Sequence, residues 1–103
     1  MMFPKPNHQR RVPKRSKRGE FSKEIRTKIF ENENHCCQMC GGKATQIHHV
    51  MPRGRSGRGV ITNGMAICNG CHTLIHKDNE LLNHWIGVYT IAFGKDFYKD
   101  EWD

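Results

Sequence analysis

Apolar residues are scarce in this chain: 36% of its 103 positions are hydrophobic, with two tryptophans and two tyrosines. Globular domains usually reach roughly 45–50% on a count that includes glycine. A chain of this length closes one modest core, so burial alone is a weak account of its folding. No run approaches the roughly 20 apolar residues of a membrane span. The first residues also lack the apolar stretch of a secretory signal, so no membrane partner and a cytoplasmic location are expected. Acidic residues are missing before Glu20, while residues 1–19 hold seven lysines and arginines. The rest of the chain balances ten basic against ten acidic side chains, which puts the whole net charge of +7 in that arm. Cysteine occurs five times, an odd number that excludes complete disulfide pairing. In a reducing compartment, paired C-x-x-C units point to metal instead.

Pro4, Pro6 and Pro13 and the dense charge leave residues 1–19 too little apolar surface to offset the entropy of ordering. That segment is expected to be a disordered basic arm that engages phosphate backbones by counterion release. Residues 20–103 are then the folded domain, with its motifs concentrated in 36–77. Phe21, Ile25, Ile29 and Phe30 recur at helical spacing and Ser22 can cap, which predicts a helix near 22–33. Thr45 to Met51 reads as a strand ended by Pro52, followed by a flexible basic loop over 53–59. Val60-Ile61-Thr62 reads as a short returning strand and His72 to about Lys77 as a helix. A further helix is expected from about Asn79 to Ile86, with residues 86–93 equally compatible with a buried strand. The acidic last residues look like a frayed end. The fold class is a small α+β domain.

Two constellations carry chemistry. Cys37, Cys40, Cys68 and Cys71 form two C-x2-C pairs with 27 residues between them. Four thiolates suit a closed tetrahedral zinc site, and such an ion supplies folding energy on the order of 10 kcal/mol that the small core lacks. Cys36 is left as a spare thiol. His72 and His76 lie four apart on an expected helix, which aims both at one point, the spacing of metal ligands. His48 and His49 are neighbours on an expected strand, where successive side chains face opposite ways. One of the two can complete the metal site and the other can act on a substrate.

The run from Cys37 through Ile47-His48-His49-Val50-Met51-Pro52-Arg53-Gly54, Asn63-Gly64 and Cys68-x2-Cys71-His72-x3-His76 resembles the HNH endonucleases. The resemblance implies the ββα-metal (His-Me finger) fold, here with a double C-x2-C zinc knuckle and flanking helices. It implies that His49 is the general base, and that His48, His72 and His76 bind a catalytic metal as in the colicin-like H-N-H-H variant. Asn63 would brace the hairpin loop and orient the base. Many relatives carry Asp at the place of His48. An all-imidazole site leans toward zinc, manganese or nickel over magnesium, which prefers oxygen ligands.

The implied reaction is metal-dependent hydrolysis of DNA phosphodiester bonds, leaving a 5′-phosphate and a 3′-hydroxyl, with RNA left open as a substrate. Arg53, Arg55 and Arg58, in the loop between the two strands, are the candidates for holding the substrate backbone. Two rival readings accompany it. One is a zinc-stabilised nucleic-acid-binding module without catalysis. The other is a structural zinc protein contacting partners in a phage packaging or DNA-repair assembly.

Overall fold

The computed structural model describes residues 11–103. Its elements run α1 (Arg15–Arg18), α2 (Lys23–Asn32), β1 (Gln46–His49), β2 (Gly64–Ile67), α3 (Asn69–Lys77) and α4 (Asn79–Phe93), with 3-10 turns at Arg53–Arg55 and Ile61–Asn63. The two strands pair antiparallel, Gln46 opposite Ile67 and His49 opposite Gly64. With α3 following β2 directly, the centre of the domain is a β-β-α unit in a small α+β fold.

Alternation along β1 divides its side chains between two packed surfaces. Ile47 and Ala66 pack with Ile29 and Ala44 beneath α2, flanked by Phe21, Ile25 and Phe30. Met65 and Ile67 belong to the larger core with Val50, Ile75, Tyr89 and Phe97. All four residues of β2 are buried, as a strand covered on both faces must be. The Ser22 hydroxyl accepts from the Ile25 N–H and opens α2 as the sequence suggests. Asp78 closes α3 and caps α4, accepting from the N–H groups of Glu80 and Leu81.

Four local expectations are revised. Val60-Ile61-Thr62 is not a strand: the chain turns through Ile61–Asn63, and β2 begins at Gly64. A Cβ at position 64 would overlap Ile29 Cδ1, so glycine there lets the Ile29 side chain pack directly against the start of the strand. Residues 86–93 continue α4, because Leu82, Trp85, Ile86 and Tyr89 form one stripe on the larger core. The helix stops at Gly94, whose φ of +94° is a conformation that L side chains rarely adopt. The C-terminus is not frayed, since Phe97 is buried and Asp100 and Asp103 make ion pairs.

The arm is the fourth. Residues 1–10 lie outside the described residues, but 15–18 form a helical turn and Gly19 is buried. The Gly59 N–H donates to the Arg18 carbonyl at 2.7 Å, and a Cβ at Gly59 would overlap the Glu20 carbonyl. The glycines of the 53–59 loop therefore admit close backbone packing. Composition alone reads them as flexibility.

Candidate active site

The four cysteines of the two C-x2-C turns converge. Each offers one sulfur, and all four sulfurs lie within 4.8 Å of one another. Cys37 and Cys40 flank a turn in which Gly41, at φ +80°, donates its N–H to the Cys37 carbonyl. Cys68 caps α3, its sulfur accepting from the Cys71 N–H. Cys40 Sγ and Cys68 Sγ are 3.7 Å apart. Tetrahedral zinc with bonds of about 2.3 Å spaces its sulfurs by roughly that distance. Burial would push the Cys37 thiol up, but backbone N–H groups at Cys68, Cys40 and Met39 outweigh it and bring it down to about 6. Its neighbour Cys71 is pushed up to about 12, first by its hydrogen bond with Cys68 and then by burial. Four crowded thiols cannot all ionise unless a cation neutralises them, and the set fits structural zinc. Cys36 stands apart, exposed, its thiol donating to the Asn34 carbonyl.

A second cluster joins His48 on β1 to His72 and His76 on α3. His48 is 2% exposed, and neither of its ring nitrogens has a hydrogen-bond partner among the described residues. A buried ring without partners is costly unless something else binds it. Burial, then the neighbouring rings of His72, His76 and His49, lower its pKa to about 3, so its lone pair stays free of protons. His72 Nδ1 lies 2.5 Å from Gln46 Oε1, which can only accept, so this ring carries its proton on Nδ1 and turns a bare Nε2 inward. His76 Nε2 is 3.0 Å from that Nε2. Ligand nitrogens around a tetrahedral zinc with bonds of about 2.0–2.1 Å are spaced by a little over 3 Å. The donor set fits a borderline transition metal.

His49 points to the other side of β1. Its Nε2 lies 2.6 Å from the Gly19 carbonyl, and Phe21 lies against its ring with centroids 4.2 Å apart. A carbonyl cannot donate, so Nε2 holds the proton and Nδ1 the lone pair. Burial first, then the Arg53 charge, lower the His49 pKa against the opposing pull of the Gly19 bond.

Asn63 is wholly buried at the entry to β2. Its Oδ1 accepts from the Met51 N–H at 2.7 Å, and its Nδ2 donates to the carbonyls of Met51 (3.2 Å) and Arg58 (3.0 Å). Both ends of the 51–58 loop are thereby fastened to one amide.

Residues 37–78 match the HNH endonuclease family model. The HNH segment spans less than half of the chain and lies one residue along from the 36–77 motif core expected from sequence. No curated protein matches the chain. The family implies metal-dependent nuclease activity, and the HNH segment contains both metal-ready clusters, His49 and Asn63.

The three loop arginines differ in their surroundings. Arg58 is 8% exposed and its guanidinium forks onto Asp103, at 3.1 and 2.9 Å. A side chain so held is a poor contact for a substrate backbone, and the expectation for it came from reading the loop as open. Arg53 is exposed and donates to the Ser16 carbonyl, while Arg15 donates back to the carbonyls of Arg53 and Gly54. Arg55 is exposed beside them. Arg15, Ser16, Gly19, Arg53, Gly54, Gly57 and Arg58 line an open basic cleft of about 410 Å³.

Sequence reasoning missed Gln46, Phe21 and Gly19. Gln46 was within reach: it shares a strand face with His48 by the two-residue period. Nothing local marks Gly19 or Phe21, whose partner lies some thirty residues along the chain.

Proposed function

We propose that the chain is a metal-dependent endonuclease hydrolysing phosphodiester bonds of DNA, with His49 as general base and His48, His72 and His76 as ligands of the catalytic metal. The observation that carries this reading is the buried His48 ring, both nitrogens without partners, facing two further imidazoles beside the chain's other histidine of the pair. A packing histidine would have found a hydrogen bond.

Hydrolysis needs a deprotonated water in line with the leaving oxygen. Nδ1 of His49 takes that proton, since the Gly19 carbonyl already engages Nε2–H and so fixes which nitrogen is basic. Phe21 packs against the ring and limits its freedom to turn. Asn63 acts through the loop it fastens, keeping the segment after His49 in one conformation. Arg53 and Arg15 line the cleft beside Gly19 and hold the phosphate backbone, joined by Arg55, exposed on the same turn as Arg53. A divalent cation on the three histidines supplies positive charge for the phosphoryl oxygen and the departing 3′ oxygen. Zinc, manganese and nickel suit imidazole best, with magnesium the weaker fit. Zinc on the four cysteines would hold the knuckle, a use of thiols that suits a reducing compartment such as the cytoplasm. Among the described residues no helix is long and apolar enough to cross a membrane. A place in a phage packaging or repair assembly suits a small nuclease of this kind, and RNA is tested beside DNA.

The test is plasmid cleavage across divalent ions, with and without chelator, by the wild type and His49→Ala. Loss of a general base costs roughly 10²–10⁴-fold, and the variant is expected to show that loss with zinc content and fold intact. An unchanged rate in His49→Ala overturns the assignment. DNA binding without cutting in any ion favours a non-catalytic binding module.

A further inference from the structure

The acidic C-terminal residues do more than end the chain. Asp100 receives both arms of the Arg18 guanidinium, Nε to Oδ2 at 2.9 Å and Nη2 to Oδ1 at 2.7 Å. Asp103 takes a further bond from Arg18 at 2.9 Å and the fork of Arg58. The Asp103 carboxylate is also tied to the backbone of Asp100, its Oδ2 accepting from the Asp100 N–H. The side chains of Arg18 and Asp100 are 12% and 13% exposed, whereas the nearby Lys99–Asp96 pair stands at 44% and 56%. Forked, shielded pairs hold geometry in a way that open surface pairs do not.

The position of this network matters more than its strength. Arg18 immediately precedes Gly19, whose carbonyl lies on His49 Nε2, and Arg58 offers its carbonyl to Asn63. We propose that Asp100 and Asp103 are positioning residues for His49: through Arg18 they hold the Gly19 carbonyl against the imidazole, and through Arg58 they hold the loop that Asn63 fastens. This rests on His49 being the base. The two carboxylates belong to neither the histidine nor the cysteine cluster, and without them the 14–19 segment would lose its Arg18 anchor while keeping its backbone bonds and the contacts of Arg15 and Ser16 with residues 53 and 54.

Charge distinguishes this role from simple electrostatics. Removing two negative charges beside a DNA-binding cleft should strengthen binding to phosphates, so an electrostatic role predicts equal or faster cleavage. Loss of positioning predicts the reverse, because a misplacement of about 1 Å can cost on the order of 10²-fold.

The experiment uses the full chain, zinc-loaded, as Asp100→Asn/Asp103→Asn and as the milder Asp100→Asn, which keeps the Arg58–Asp103 pair should the double variant fold poorly. Cleavage at saturating DNA and metal is expected to fall at least about tenfold in the double variant with KM equal or lower, and by a smaller factor in the single one. By nitrogen-detected NMR with zinc in both sites, wild-type His49 should show a single Nε2–H tautomer with a slowly exchanging proton, and the variants should lose it while the His72 Nδ1–H signal stays. In a His49→Ala background the aspartate changes should lower residual cleavage no further. An unaltered His49 proton with wild-type kcat overturns the proposal, as does an equal loss of rate in the His49→Ala background. If the wild type cuts nothing, the nuclease reading fails by itself, and the His49 proton still decides whether the clamp exists.

Discussion

Gln46 Oε1 lies 2.5 Å from Nδ1 of His72, so a side chain two residues ahead of His48 on the same strand face orients the ring that His48 faces across the histidine cluster. Gln46 is steadied in turn, its Nε2 donating to Asn69 Oδ1 at 3.1 Å. Partners of this kind fix the tautomer of a ligand histidine, and losing one typically costs roughly 10–100-fold in metal affinity. Gln46→Ala is expected to weaken metal at the histidine site by about that factor while zinc stays on the four cysteines. Titration calorimetry with zinc on the zinc-loaded knuckle checks this, and an unchanged affinity would show that His72 needs no such support.

Asn63 leaves the least room for substitution. Asn63→Ala would strip partners from the Met51 N–H and from the carbonyls of Met51 and Arg58 at a site that is 0% exposed. Each abandoned buried group costs about 1–3 kcal/mol, so the variant should lose at least about 2 kcal/mol and melt roughly 10 °C lower. Thermal unfolding by circular dichroism with zinc present measures it.

Metal removal should occur in two stages with different consequences. The histidine cluster is built on rigid elements that the core already holds, Ile75 being buried on the same helix as His72 and His76. The cysteine cluster instead joins the Cys37–Cys40 turn to the start of α3, with Cys37 itself in the core. A mild chelator is expected to abolish cleavage while far-ultraviolet dichroism stays unchanged. Stripping the knuckle, or Cys68→Ser, should unfold the domain. If the apo-knuckle protein keeps a cooperative melt at the same temperature, the zinc is not what holds it.

These residues show where the sequence was informative and where it was not. The cysteine turns and the His72/His76 pair were legible because i to i+3 and i to i+4 spacings carry their own geometry. The opposite facing of His48 and His49 followed from the strand period for the same reason. Val60-Ile61-Thr62 misled because β-branched composition says nothing of where a partner strand ends: pairing stops at His49 opposite Gly64, and the residues before it turn. Arg18, Arg58, Asp100 and Asp103 looked like solvated charge because their pairing spans 82 and 45 residues, a separation no local pattern reports.

The same carboxylates predict an acid dependence. Arg18 holds Asp100 below the usual carboxylate range, chiefly by hydrogen bonding, and Arg58 holds Asp103 well below it. A carboxylate with a lowered folded-state pKa contributes stability that is complete above its ordinary value near 3.9 and is lost as pH falls through the folded value. The difference in melting temperature between wild type and Asp103→Asn should therefore be flat from pH 8 to about 5 and narrow below about pH 4. Comparing two chains with the same zinc knuckle cancels the acid lability of the thiolates. A difference that widens on acidification would mean that the pairs do not form as described.

Truncation separates the two parts of the basic segment. Cutting before Lys14 removes Lys5, Arg10 and Arg11 but spares α1, Arg18 and Gly19. On the proposed DNA-binding role those three charges meet phosphates whatever the sequence, so DNA binding should weaken uniformly and the slope of log K against log salt should shrink by up to about 3. The turnover rate at saturating DNA should hold. Cutting after Gly19 removes the same charges together with the carbonyl on His49 and the guanidinium clasped by Asp100. That longer cut is expected to lower turnover by at least about tenfold beyond any loss of binding. Equal turnover in the two truncations, measured on plasmid at saturating DNA and low salt, would show that the segment serves affinity alone and that His49 keeps its orientation by Phe21 and the strand.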